Sequence, residues 1–324
     1  MQTQQNYTQN LQAPIVSFIV TTYNLPIDYI KECLDSILQL SLNPKEREII
    51  LIDDGSDICP LNDLAEYLTN IIYLRQPNQG VSVARNYGMK IATGKYIQFI
   101  DGDDYIRQAA YEHCLDIVRY HQPDIVTFNY CKNNKNIEPS YELPTPVTGT
   151  DFLNNNNLHG AAWSYVFRHS IVGSLQFTPG IVYGEDEEFT PQLFLRAERI
   201  FKINTEAYFY RDNKNSVSHQ YHKEKIQMRM DNSLEVLLHL QQLLDKIPVA
   251  ERQARRIAQL TMDYLYNNIR LNHSLISLNK CIKQLRSHGL YPLPDKDYTK
   301  KYTMFRKAIS TYVGRIGLLF FIKK

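Results

Sequence analysis

Asp101-Gly102-Asp103-Asp104 sets three carboxylates around one glycine at the end of the apolar run Tyr96-Ile97-Gln98-Phe99-Ile100. In extended backbone Asp101 and Asp103 leave the same face, with Cα atoms roughly 7 Å apart. Two carboxylates at that separation can converge on one hard cation. Gly102 allows either a tight turn or a close approach by a ligand. A solvated acidic turn after a strand has the same residues, so this motif needs company. Thr21-Thr22-Tyr23-Asn24, Asp53-Asp54-Gly55-Ser56 and Gly184-Glu185-Asp186-Glu187-Glu188 supply it, each a polar cluster next to an apolar stretch.

The elements that position these clusters follow from hydrophobic spacing. Ile15-Val16-Ser17-Phe18-Ile19-Val20 reads as a strand buried on both faces, and Ile30, Leu34, Ile37 and Leu38 recur at helical spacing after it. Glu48-Ile49-Ile50-Leu51-Ile52 is a second strand and residues 71–74 a third, with a short helix over 60–67 between them. Val81, Ala84, Tyr87, Gly88 and Ile91 mark a helix face before the run 96–100, and a helix over 109–120 leads to Ile125-Val126-Thr127-Phe128. Strands alternating with helices predict a mainly parallel sheet flanked by helices. Right-handed crossovers then bring the ends of strands one, two and four, with Thr22, Asp53 and Asp101, to one edge. Ligands of open α/β sheets sit at that edge.

Residues 131–157 turn polar, with three prolines and four consecutive asparagines, and read as a long loop. Residues 184–197 form an amphipathic helix whose leading carboxylates complement the helix dipole. Ala207-Tyr208-Phe209-Tyr210 reads as a strand. Helices are expected over 228–244, 250–271, 277–287 and 302–321. The domain plan is a disordered start over 1–12, an α/β domain over 13–220 and a helical C-terminal region over 221–324. The last segment mixes aromatics with Lys301, Arg306, Lys307, Arg315, Lys323 and Lys324. It suits either an anionic membrane surface or packing on protein.

Net charge is +2, which offers no field for nucleic acid. Five scattered cysteines without metal-ligand spacing read as reduced thiols of a cytoplasmic protein. The polar start shows no signal peptide, and no stretch reaches transmembrane length.

Taken in order, Val20-Thr21-Thr22-Tyr23-Asn24, Asp53-Asp54-Gly55-Ser56, Asn78-Gln79-Gly80 with Ala84-Arg85-Asn86-Tyr87-Gly88, Asp101-Gly102-Asp103-Asp104 and Gly184-Glu185-Asp186 resemble the family 2 glycosyltransferases of the GT-A fold. The resemblance covers about residues 13–219. It implies a Rossmann-like sheet and an inverting transfer of a hexosyl or N-acetylhexosaminyl group from a nucleotide sugar, with UDP favoured. The acceptor it implies is a hydroxyl of a glycan or lipid-linked oligosaccharide, in polysaccharide or cell-envelope assembly. It assigns Mn²⁺ or Mg²⁺ to Asp103 and Asp101, with Asp101 also able to serve the ribose. Thr22, Tyr23, Asp53, Asp54 and Arg85 would hold the nucleotide: Tyr23 by stacking, Asp54 or Asp53 by accepting the uracil N–H, Arg85 by reaching its carbonyl oxygens. Asp104 would bind or cap the turn. Asp186 would be the general base, its pKa raised by crowding from Glu185, Glu187 and Glu188. Arg211, Lys214 or His219 would close over the diphosphate. The resemblance leaves room for a homo-oligomer and for work at the inner face of the membrane.

A non-catalytic nucleotide-sugar-binding subunit is the alternative; the presence of both Asp103 and Asp186 argues against it. A nucleotidyltransferase would need a Gly-rich loop and a lysine after the first strand, and a dehydrogenase would need G-x-G-x-x-G there. Thr21-Thr22-Tyr23-Asn24 supplies neither.

Overall fold

The computed structural model describes residues 13–133, 138–156, 160–212, 223–244 and 251–322. The chain forms two compact units. The first comprises Met1–Pro146, Trp163–Ser174 and Arg199–Arg211; the second comprises Val147–Ala162, Leu175–Glu198 and Asp212–Lys324.

In the first unit, β1 (Val16–Thr22), α1 (Ile27–Leu38), β2 (Arg47–Asp53), a 3₁₀ turn (Asn62–Tyr67), β3 (Ile72–Arg75), α2 (Val81–Ile91) and β4 (Tyr96–Asp101) follow in order. They lead to β5 (Tyr105–Ile106), α3 (Gln108–His121), β6 (Ile125–Cys131), β7 (Tyr165–Arg168) and β8 (Ile200–Phe209). The sheet runs β3-β2-β1-β4-β7-β6-β8-β5. The half β3-β2-β1-β4 is parallel throughout. Beyond it β7 is antiparallel to β4 and to β6, while β6 and β8 are parallel. Tyr165-Val166-Phe167 is buried on both faces. Such a run carries no signal of strand direction, so the sequence could not announce the reversal.

Central β1 explains its own composition. Val16, Phe18, Ile19 and Val20 are fully buried because helices cover both faces of a parallel sheet. Gln98 is an apparent exception within β4. Its amide donates to the carbonyls of Phe99 (2.7 Å) and Trp163 (2.9 Å) and accepts from Tyr111 Oη (3.1 Å), so burial leaves it satisfied.

The second unit holds α4 (Gly149–Asn155), α5 (Glu185–Phe194), α6 (Lys223–Leu244), α7 (Glu251–Asn272), α8 (Leu275–Ser287), α9 (Lys300–Ser310) and α10 (Tyr312–Phe321). Leu237, Leu240, Leu265, Ile269, Leu278 and Leu285 build its core. Helix α4 lies inside the segment expected as loop. Thr148 nucleates it by accepting the Asp151 N–H at 3.1 Å, and Phe152 and Leu153 bury its apolar side. The single helix expected over 302–321 is two. Thr311 leaves helical geometry (φ −108°, ψ 151°) and caps α10 through the Gly314 N–H at 3.0 Å. Among the described residues no helix is long and apolar enough to cross a membrane.

Candidate active site

The register of the parallel half assembles the predicted edge in the first unit. Thr22 pairs with Asp53 and Thr21 with Asp101. The Gly102 N–H donates to the Thr21 carbonyl at 2.9 Å, and a Cβ on Gly102 would lie 2.9 Å from that oxygen. Glycine is needed there because β1 itself passes so close.

Asp101 Oδ1 accepts Arg85 Nη2 at 2.9 Å. Arg85 is only 3% exposed, and its guanidinium lies 5.8 Å from the Phe99 ring centroid. It is thus neither a surface arginine nor directed to base carbonyls alone; it neutralises the first carboxylate of the acidic turn from inside the fold. Asp101 Oδ2 accepts nothing among the described residues.

Asp104 closes the turn. Its N–H donates to the Asp101 carbonyl at 2.9 Å. Its carboxylate accepts Tyr208 Oη at 2.8 Å and the Arg211 N–H at 2.7 Å. Tyr208 Oη in turn accepts the Asp101 N–H at 3.2 Å. Burial, reinforced by the charges of Asp101 and Asp103, pushes the Asp104 carboxyl up to about 8. Asp104 therefore ties the acidic turn to β8.

The two carboxylates after β2 do structural work. Asp53 is fully buried and accepts the Ser56 N–H (2.9 Å), Tyr73 Oη (3.0 Å) and Arg75 Nε (3.1 Å). Asp54 Oδ1 accepts Gln76 Nε2 (2.6 Å) and the Gln79 N–H (3.0 Å). Its Oδ2 accepts the Gly80 N–H (2.8 Å) and Asn78 Nδ2 (3.2 Å). Four donors fill the roughly four acceptor sites of a carboxylate. In this structure the Asp54 carboxylate, expected to accept a uracil N–H, is instead filled by its own fold and shapes the Asn78-Gln79-Gly80 loop that leads into α2, the helix that carries Arg85. Gly55, at φ +79°, lets this turn form against Asn78, whose N a Cβ would meet at 2.6 Å.

Thr22 Oγ1 is buried without a hydrogen-bond partner among the described residues. An orphaned hydroxyl at a strand end costs roughly 1–3 kcal/mol and is what a ligand would relieve. Tyr23 beside it is 47% exposed, so its ring face is accessible.

Arg211, expected over a diphosphate, is committed elsewhere. Its Nε donates to the Asp103 carbonyl at 2.7 Å, its Nη2 bonds Glu32, and its guanidinium lies 4.2 Å from the Tyr29 centroid. It braces the acidic turn. Lys214 and His219 lie outside the described residues.

Asp186 belongs to the second unit, in the first turn of α5. Its Oδ2 accepts the Ala162 N–H at 2.9 Å, which fixes the carboxylate. The flanking glutamates are not merely helix-dipole partners. Glu187 accepts Arg256 Nε at 3.0 Å, with a second bond from Nη2, and α7 supplies that arginine. Glu188 accepts Thr178 Oγ1 at 2.9 Å and pairs with His239 Nδ1 of α6 at 2.6 Å. The Glu187 charge is thus offset by Arg256, while Glu188 is held by hydrogen bonds from Thr178 and with His239.

Sequence reasoning missed Tyr208, Gln76, Arg256 and His239. Each acts across a long sequence gap, 104 residues for Tyr208 and Asp104, and none stands in a motif that announces it.

The eight-stranded mixed sheet with its polar edge is a fold of GT-A type. The crystal structure of Staphylococcus aureus TarS 1–349 in complex with UDP-GlcNAc shares this fold, with TM-score 0.68 over 94% of this chain and 88% of that one, at 19% identity. Glycosyl transferase family 2 is matched over residues 17–172. Among curated relatives, the uncharacterized glycosyltransferase EpsJ of Bacillus subtilis is 32% identical over 222 residues, 63% of each chain. Glycosyltransferase GlyA of Streptococcus pneumoniae is 29% identical over 226 residues, 63% of this chain and 31% of GlyA. The match thus spans less than two-thirds of either relative.

Proposed function

We propose that this protein is an inverting, metal-dependent glycosyltransferase. It moves a sugar from a UDP-sugar to a hydroxyl of a glycan or lipid-linked oligosaccharide. The observation that carries this reading is the strand register that sets Thr22, Asp53 and Asp101 side by side at the carboxyl edge, next to Asp103. Support for a UDP-sugar comes from the TarS structure, described with UDP-GlcNAc bound. Support for a polymer acceptor comes from the 25% identity over 200 residues with TarS of Staphylococcus aureus, a poly(ribitol-phosphate) beta-N-acetylglucosaminyltransferase.

The donor set suits Mg²⁺ or Mn²⁺. Among the described residues no three His, Cys, Asp or Glu side chains gather as a self-sufficient metal site. A pair of carboxylates completed by substrate phosphates is the arrangement these ions accept. Asp103 and the open Oδ2 of Asp101 are the oxygens that would hold the ion, which would neutralise charge on the departing diphosphate. Arg85 keeps Asp101 Oδ1 in place and limits the repulsion between the two carboxylates. Thr22 Oγ1 donates to the nucleotide and Tyr23 stacks on the base. The family resemblance supplies the role of Asp186: its carboxylate would take the proton of the acceptor hydroxyl in an inverting displacement.

Asp186→Asn should abolish transfer while UDP and Mn²⁺ binding, read by calorimetry, persist. Asp103→Asn should weaken Mn²⁺-dependent UDP binding itself. Full turnover in the Asp186 variant would remove it as the base, and retention of the donor's anomeric configuration by NMR would remove the inverting mechanism.

A further inference from the structure

Helix α10 is unlike every other helix of the second unit: none of its ten residues is buried. Its sequence Tyr312-Val313-Gly314-Arg315-Ile316-Gly317-Leu318-Leu319-Phe320-Phe321 contains one charged residue. Leu318 and Leu319 pack partly on the core of the unit, which leaves Tyr312, Val313, Phe320 and Phe321 outward at 62, 78, 82 and 87% exposure. The single charge does not interrupt that surface. Arg315 folds back, with Nε donating to the Ile309 carbonyl at 2.8 Å and Nη1 to Asn279 Oδ1 at 2.9 Å.

The charge in the segment leading into this apolar helix is mainly basic. Residues 298–322 contain five basic residues (Lys300, Lys301, Arg306, Lys307, Arg315) and no acidic one. Arg306 is occupied by Asp295 and Asp297, whereas Lys300, Lys301 and Lys307 are exposed. Exposed phenylalanines are costly in water, and a contiguous patch of them needs a partner.

We propose that α10 docks the protein on an anionic membrane surface, lying in the interface with Phe320 and Phe321 among acyl chains and the lysines at the headgroups. Ten helical residues span only about 15 Å, half a bilayer core, so α10 lies on the membrane rather than across it. Aromatic and basic residues together are the composition such helices use. A second copy fits less well, because two-fold pairing sets identical surfaces against each other and would bring lysine toward lysine. The docking needs neither the nucleotide site nor the assignment of Asp186, so it stands apart from the reaction proposed above.

The test is flotation of the full chain with vesicles of phosphatidylcholine alone or mixed with phosphatidylglycerol. Wild type should float with the anionic vesicles and be released by salt. The double variant Phe320→Ser, Phe321→Ser should bind at least about tenfold more weakly. Lys300→Gln, Lys307→Gln should bind about thirtyfold more weakly, from about one kcal/mol per lysine at an anionic surface. Since all four side chains are exposed, unchanged circular dichroism and unfolding midpoints will show that the fold persists. Wild type that ignores anionic vesicles, or a Phe320/Phe321 variant that binds as wild type does, overturns the proposal. A dimer in sedimentation equilibrium that the phenylalanine substitutions dissociate would instead assign the face to a second copy, and would also overturn it.

Discussion

Replacing Asp54 with asparagine tests whether this carboxylate builds the nucleotide edge from behind. In the wild type its two oxygens accept Gln76 Nε2, Asn78 Nδ2 and the N–H groups of Gln79 and Gly80. Asparagine keeps one oxygen and turns an NH₂ group toward two of those donors. Two charge-assisted bonds are lost, each worth about 1.5–3 kcal/mol. Relaxation of the loop recovers part of this, so the expected loss is about 3–5 kcal/mol, a large share of the roughly 5–15 kcal/mol that holds a domain together. Trp163, the only tryptophan, lies in the same unit and stacks on Tyr208 with ring centroids 4.5 Å apart. Its fluorescence in urea therefore reports this unit without interference from the helical one. The midpoint should fall with an unchanged slope. Amide exchange at Gln79 and Gly80 should accelerate, because their acceptor is the group removed. UDP should bind more weakly, because the same change loosens the loop leading into α2, the helix that carries Arg85. A variant within about 1 kcal/mol of wild type, with Gln79 and Gly80 still protected, would refute the reasoning.

Arg85→Ala should weaken Mn²⁺-dependent UDP binding, since Asp101 and Asp103 would then repel without their guanidinium; unchanged binding by calorimetry would contradict this. Asp104, with its carboxyl pushed up to about 8 from 3.8, gives a pH dependence with a definite sign. In metal-free protein the unfolded chain releases this proton near pH 4 while the folded chain keeps it until about pH 8. The stability tied to it is therefore full below about pH 4 and falls as pH rises through about 8. Urea midpoints read by Trp163 should show the decline, and Asp104→Asn should flatten it. In the second unit, Arg256→Gln should cost about 1–3 kcal/mol, less than a fully buried pair because the arginine is one-third exposed. Adding Glu187→Gln should recover part of the loss in a double-mutant cycle; additive losses would mean the two do not interact.

The sequence by itself determined the parallel half of the sheet and the edge it serves. Short, mostly apolar runs such as Val16–Val20, bounded by turn residues, read as interior strands, and alternation with helices of 3.6-residue period leaves one handedness of crossover. From that, the neighbourhood of Thr22, Asp53 and Asp101 follows without coordinates. The family resemblance singled out Asp103 and Asp186 by position in ordered motifs. Only the tertiary structure decided what each polar atom does there. A carboxylate in a motif looks the same whether it faces a ligand or four donors of its own fold, and Asp54 turned out to be the second kind. Arg85 and Arg211 differ from expectation for the same reason: their partners, Asp101 and Glu32, are 16 and 179 residues away. The reversal at β7 and the break at Thr311 belong here too. Strand direction leaves no mark on a two-sided apolar run, and a single threonine with extended backbone outweighs the helical periodicity on either side because it caps the helix that follows.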